Sequence, residues 1–200
     1  MAGSVVYSSV LAAVMASLRS VRTSLVFFDT SVVDMTEKLA DPVDVLFGAQ
    51  LGGGMDIHRA VTYCQGLVPR PADTIFILVS DLIEGGSKQG LYQRVASIVA
   101  NGARMITLLA LDDVGTPVFD HEVAGTLTSL GVPSFACTPD LFPDLMAAAI
   151  QKRDISQWAA AQNIKIERHE RDSQSNGCRV RARQERHTVT ARHFYTVEAG

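Results

Sequence analysis

Two stretches of this 200-residue chain carry residue types suited to ion chemistry. Asp81 directly follows the apolar run Thr74-Ile75-Phe76-Ile77-Leu78-Val79-Ser80 and stands just before Glu84-Gly85-Gly86. The second stretch is Gly52-Gly53-Gly54-Met55-Asp56, a glycine loop that leads into a helix. Open α/β sheets bind ligands beyond the carboxyl ends of their strands. Both stretches therefore converge there on one small site, where carboxylates suit a divalent metal. A glycine loop at a helix N-terminus also suits phosphate. As a phosphate motif it is weak: no G-x-G-x-x-G fits and no Lys follows the glycines, so neither a dinucleotide fingerprint nor a P-loop is present. Asp34, Asp56, Asp112 and Asp113 supply further carboxylates for phosphoryl chemistry at Asp81. Against that reading, no Lys lies near Asp81 in sequence and no Ser-His-Asp or Cys-His set emerges. His58 reads as an exposed helix residue rather than a base, and Asp81 by itself equally suits a turn or helix cap.

The elements that must position these residues alternate between strand and helix. The apolar spacing of Val5 to Leu18 suits one wide helix face. Ser24–Phe28 and Ser31–Met35 read as short strands with a hairpin-like break at Asp29-Thr30. Asp41-Pro42 opens a helix to Ala49, and Asp56 to Gln65 forms the next, closed by Gly66. Thr74–Ser80 is apolar on both faces, as in a buried parallel strand. A helix over Gln89–Asn101 separates it from a second buried strand, Met105–Leu111. Helix Phe119–Leu130, strand Ser134–Cys137 and a helix from Thr138-Pro139-Asp140 to Ile150 complete the pattern. The fold expected is α/β: a Rossmann-like, doubly wound, mostly parallel sheet with helices on both faces, in which Thr74–Ser80 and Met105–Leu111 are adjacent parallel strands.

Composition bounds the class. The apolar fraction of 47% supports a true core. A net charge of −3 argues against nucleic acid as the main partner. The three cysteines have no metal-type spacing. Cys64 and Cys137 fall in core elements, which suits a reducing, cytoplasmic setting. Val5–Leu18 has no basic leader, is interrupted by serines and is too short to span a bilayer, so no membrane segment is expected. Residues 1–150 read as one domain, 151–165 as a C-terminal helix and 166–200 as a basic polar tail expected to be poorly ordered. Residues 151–200 hold ten Lys/Arg and six Asp/Glu, a net +4, whereas 1–150 hold eight and fifteen, a net −7.

Taken in order, four stretches resemble the von Willebrand factor A (VWA) family, closest to its bacterial CoxE-like branch. They are Thr23-Ser24-Leu25-Val26-Phe27-Phe28-Asp29-Thr30, Leu51-Gly52-Gly53-Gly54-Met55-Asp56-Ile57, Ile77-Leu78-Val79-Ser80-Asp81-Leu82 with Glu84-Gly85-Gly86, and Leu109-Ala110-Leu111-Asp112-Asp113. The resemblance implies a metal-ion-dependent adhesion site built from a D-x-S-G-S element, a Thr in the glycine loop and an Asp after the fourth strand. Asp81 matches the last of these. Met55 stands in the Thr position and brings a thioether where hard Mg²⁺ wants oxygen. In the best register Met1 follows the D-x-S-G-S element, so that element and the central strand ending in it are expected to be missing: either the true start lies upstream or the chain is a decayed or truncated copy. A second register sets Ala2-Gly3-Ser4 over S-G-S and adds Ser4 as a ligand. An absent central strand would leave two inner sheet edges unpaired. The stretch near Arg186 to Val197 could fill that gap, although its composition suits an edge better than a core.

The site implied is therefore a degenerate one. Asp81 is the metal candidate, with Ser4 and Asp56 weaker, and Gly52, Gly53, Gly54, Met55, Asp56 and Glu84 are the binding residues. Mg²⁺ is expected to bind weakly or not at all. The function implied is a non-enzymatic, cytoplasmic protein-interaction domain whose partner is a MoxR-type AAA+ ATPase. The alternatives are a non-functional truncated fragment and an Asp-dependent phosphohydrolase or phosphotransfer domain.

Overall fold

The computed structural model describes residues 11, 13–15, 17, 21–39, 55–110, 118–167 and 193–199. The glycine loop 52–54, the expected helix at 41–49, Ser4, Asp112, Asp113 and Cys178 lie outside these residues. β1 (Val21–Phe28) turns back through Asp29–Ser31 into β2 (Val32–Asp34), and the two pair antiparallel as the hairpin reading requires. β3 (Thr74–Ser80) is buried at every position. Its alternate residues face opposite layers: Ile75, Ile77 and Val79 enter one core, Phe76 and Leu78 the other. β4 (Arg104–Leu109) runs parallel beside it, from Ile75 opposite Arg104 to Ser80 opposite Leu109. β5 (Ser134–Phe135) continues the sheet in parallel.

Helices cover both faces, as expected. α1 (Ile57–Gly66), α2 (Lys88–Ala100) and α3 (His121–Ser129) bury Ala60, Val61, Leu91, Val95, Val123 and Leu127 in one core. α4 (Phe142–Ile150) and α5 (Ile155–Ala161) bury Leu145, Met146 and Trp158 in the other, where the helical residues Leu11 and Met15 also pack. Side-chain caps start the helices wherever Ser or Asp is available. Ser87 caps α2, Asp120 caps α3 and Asp154 caps α5. α2 ends at Asn101-Gly102, where Gly102 takes φ +89°, the left-handed value that only glycine adopts without strain.

Several boundaries differ from expectation by one to three residues, and strand Ser134–Cys137 shortens to Ser134–Phe135. α4 opens at Phe142 rather than at Thr138-Pro139, because those residues form a turn in which Leu141 N donates to Thr138 O at 3.1 Å. Pro143 takes the first-turn place in its stead. Gly66 is the last residue of α1, with Leu67 as the cap. Cys64 and Cys137 are buried as expected, and burial pushes both thiols up to about 12.

The largest departure concerns the tail. β6 (His193–Ala199) is an interior strand, and the sheet order is β2-β1-β6-β3-β4-β5. β6 pairs antiparallel with β1, from Val21 opposite Ala199 to Phe27 opposite His193. It also pairs antiparallel with β3, from Thr74 opposite Glu198 to Val79 opposite His193. Hence β1, β3, β4 and β5 share one direction, while β2 and β6 oppose it. The expected open slot is filled, and the expectation that this segment suits an edge does not hold. The tail is strand-like over 193–199, while 168–192 lie outside the described residues. The physical reason is a period of two that the surrounding charge obscures: Tyr195 and Val197 are fully buried in the core with Leu25, Phe27, Ile75 and Ile77, and Thr196 is buried between them. At the far end Glu198 meets Arg70, Oε1 to Nε at 2.9 Å.

If β6 completes the sheet, Tyr195→Ala will cost about 3–5 kcal/mol, the usual range for deleting a buried ring. Thermal unfolding will show this as a drop of roughly 2–4 °C per kcal/mol. Deleting residues 193–200 will abolish the cooperative transition, because both inner edges then lose their partner. A melt left unchanged by either alteration would show that β6 does not hold the sheet together.

Candidate functional site

Four chain segments meet at the carboxyl edge of β1 and β3. The end of β1 is tied to the entry of α1, Asp56 N donating to Asp29 O at 3.0 Å. The entry of α1 is tied to the loop after β3, Gly85 N donating to Met55 O at 2.8 Å. The same loop is tied to the entry of α3, Asp120 N donating to Asp81 O at 2.9 Å. The structure thus brings together Met55, Asp56, Asp81 and Glu84. It adds Asp29 and Ser80. Asp34 is placed elsewhere: β2 runs back from the edge, so Asp34 lies opposite Val26 and holds Thr36 N at 2.9 Å and the Tyr63 hydroxyl at 3.1 Å.

Most of the polar atoms here serve the backbone. Asp56 caps α1, its Oδ1 accepting from Arg59 N at 2.8 Å. Glu84 Oε2 accepts from His58 N at 3.0 Å, and its Oε1 accepts from Gly86 N at 2.6 Å. Asp29 Oδ1 accepts from the amide and the hydroxyl of Ser31 at 2.6 and 2.8 Å. Asp81, 5% exposed, accepts from Ile83 N at 3.2 Å. Met55 is buried, and its sulfur accepts from the Ser80 hydroxyl at 3.4 Å. That hydroxyl in turn accepts from Leu82 N at 3.0 Å. Leu82 is fully buried at φ +59°, a left-handed conformation that costs a non-glycine residue about 1–3 kcal/mol. Buried packing of its side chain on the α1–α2 layer holds it there.

These contacts bear on each chemistry the sequence admits. Mg²⁺ takes six oxygens at about 2.1 Å. Here the position between Asp56 and the end of β3 presents a thioether, already bonded to Ser80, and the nearby carboxylates of Asp29, Asp56, Asp81 and Glu84 each accept from a main-chain amide. Among the described residues no group of three or more His, Cys, Asp and Glu could hold a metal ion. Phosphate fares no better at the start of α1, because Asp56 and Glu84 already occupy its first amides with negative charge, where an anion would need them.

Lys88 is the cation that sequence spacing did not reveal. Its Nζ lies 2.9 Å from Asp120 Oδ2 and 3.1 Å from Glu122 Oε2, partners 32 and 34 residues away. Hydrogen bonding to both carboxylates raises the Lys88 pKa. Burial pushes Asp120 upward, but the bonds from Lys88 and Val123 N outweigh it and hold the carboxyl below its usual value. Lys88 thus stays protonated, its charge balanced by Asp120 and Glu122. A cavity of about 490 Å³ lies at the opposite edge of the sheet, by Arg104 and Arg153 at the start of β4, and does not reach Asp81.

The rigidity of the edge is testable at one atom. A Cβ on Gly85 would stand 2.5 Å from Met55 O, a main-chain atom that cannot move aside. Gly85→Ala should cost about 1–3 kcal/mol through this overlap and the loss of the amide bond to Met55. Gly66→Ala, with nothing within 4 Å of the added carbon, should be neutral or slightly stabilising. Denaturant melts of both variants check this, and equal midpoints would show that the loop is not held against Met55.

The profile of the family described as "VWA domain containing CoxE-like protein" matches residues 1–146. The chain is also similar to the uncharacterized protein YehP of Escherichia coli (strain K12), being 43% identical over 151 residues. That alignment takes in 76% of this chain and 40% of YehP, so the chain spans about two fifths of that relative's length. No solved structure matches it. Among the described residues no helix is long and apolar enough to cross a membrane. With its α/β architecture, Asp81 at the end of β3 and a family match over 146 residues, this chain belongs to the VWA CoxE-like family.

Proposed function

We propose that this chain is a non-enzymatic protein-interaction domain with a degenerate metal-ion-dependent adhesion site, and that its partner is a MoxR-type AAA+ ATPase. The observation that carries the reading is the Met55–Ser80 contact. A soft sulfur, bonded to the hydroxyl next to Asp81, stands where the family resemblance calls for a hydroxyl ligand. Asp81 alone offers too few oxygens to hold a hard cation against its hydration shell. Recognition at this edge then rests on shape and hydrogen bonding rather than on a bridging metal. The ATPase as partner comes from the family resemblance, and a cytoplasmic setting accords with buried thiols.

Calorimetry with Mg²⁺ and Mn²⁺ tests the metal half of the proposal. Binding should be about millimolar or weaker, far below a dedicated oxygen site. Micromolar affinity that disappears in Asp81→Ala would mean that oxygen ligands outside the described residues complete the site. Titration with a purified MoxR-type ATPase from the same organism tests the partner. The expected outcome is a complex that forms equally well with EDTA or MgCl₂ when nucleotide is absent. No complex at about 100 μM, an affinity weaker than that of transient assemblies, would remove the ATPase from the proposal.

A further inference from the structure

We propose that the groove at the start of β4 is a docking site for an acidic, extended segment of a partner protein, which adds beside Met105 as a short strand. Successive residues of a strand bond to opposite neighbours. Ala110 N donates to Ser80 O at 3.1 Å, whereas Thr107 N donates to Pro133 O at 2.9 Å. Met105, two residues before Thr107, therefore turns its amide and carbonyl away from β3. Among the described residues β5 does not follow it there, pairing only with Thr107 and Leu108. A ladder prolonged by two residues would set the Pro133 nitrogen on the Met105 carbonyl, and proline has no N–H. It would also set the Gly131 carbonyl on the Met105 amide, but Gly131 turns the chain aside at φ +88°. Met105 is only 3% exposed, and main-chain groups buried to that degree are nearly always paired.

The groove around Met105 is the cavity of about 490 Å³. Val99, Pro133 and Ile155 give it apolar walls, and Arg104, Lys152 and Arg153 give it a cationic rim. The rim is preformed. Arg104 donates to Ala149 O at 2.9 Å and to Lys152 O at 2.7 Å, which holds Lys152 at φ +56° just after α4. The one acid of the lining, Asp154, is committed to the amides of Ser156 and Gln157. Lys152 also meets Asp73 at 3.5 Å, an exposed pair of little strength. Three cations and one acid give the lining a net +2, against a net −7 for residues 1–150. Acidic side chains match that charge, and basic ones are repelled by it. Main-chain bonds give a strand-addition complex its affinity, and alternate side chains give it specificity. The groove and Asp81 lie at opposite edges of the sheet, so this site stands whether or not the Asp81 edge binds a partner.

The probe is a heptapeptide alternating Glu and Val, titrated into the isotope-labelled full chain and followed by NMR. The amide signals of Met105 and Ile106 should shift and saturate with a Kd of about 0.1–1 mM, the range of a short, unoptimised strand. A peptide with Lys in place of Glu should leave them unmoved. Two further copies are N-methylated, one at every Val and one at every Glu. A strand turns alternate amides to opposite edges, so one copy should bind and the other should not. Arg153→Glu, at an exposed position, should weaken binding about fivefold, the scale of one exposed ion pair, and leave the thermal melt unchanged. No shift at about 2 mM peptide, above the expected Kd, would overturn the proposal. So would equal binding of the Lys peptide, methylated copies that behave alike, or an Arg153→Glu chain that binds as well as the native one. N-acetylglutamate amide shifting the same signals at a matched carboxylate concentration would also overturn it, by marking a pocket for small acids.

Discussion

A strand inside a sheet must satisfy the N–H and C=O groups of both its neighbours, and in this chain that duty falls on β6. β1 and β2 form one hydrogen-bonded unit, and β3, β4 and β5 form another. The two units join in a single sheet because β6 bonds to both. Unpaired, each inner edge would expose a row of buried polar groups, each costing about 1–3 kcal/mol. The sum rivals the ~5–15 kcal/mol that holds a typical domain together. The first core depends on the same strand, since Tyr195 and Val197 fill the layer between Leu25 and Phe27 on one side and Ile75 and Ile77 on the other.

The direction of β6 has a consequence for the site. Because it opposes β1 and β3, it begins at the edge where they end: His193 pairs with Phe27 and with Val79. The adhesion site that the family resemblance implies needs a strand in this slot running the other way, so that it delivers its ligand element to the same edge. One slot cannot hold both arrangements at once. While β6 occupies it, the described residues at this edge come from the ends of β1 and β3 and the starts of α1 and α3.

That edge is stiff and largely self-satisfied. Asp29, Asp56 and Glu84 bind main-chain amides within two to three residues, or across from one loop to the next. Gly85 and Met55 touch backbone to backbone, and Leu82 is held in a left-handed turn between them and the core. Carboxylates used in this way order loops and neutralise helix starts. A surface whose polar groups are fixed in advance loses little entropy on docking, which suits a recognition role more than one that must gather ligands around an ion.

The local elements were legible in the sequence because their signals are local. The apolar run Thr74–Ser80 determined a buried strand residue for residue, and its spacing from the next run determined a parallel neighbour with a helix between. The order of the four motif stretches determined the family, and Met55 stands where the family resemblance calls for a hydroxyl. Asp81 was legible as a strand-end carboxylate, and Asp56 and Glu84 as its neighbours, but their commitment to the amides of His58, Arg59 and Gly86 was not. Nor was the pairing of Lys88 with Asp120 and Glu122, since those groups are more than thirty residues apart and only the packing of α2 beside α3 brings them together. The clearest case is β6. Seven residues behind an Arg-rich stretch carry too weak an alternation to announce an interior strand. They become one because two inner edges, formed far earlier in the chain, have backbone groups that only a further strand can satisfy, and that demand exists in three dimensions rather than in the sequence.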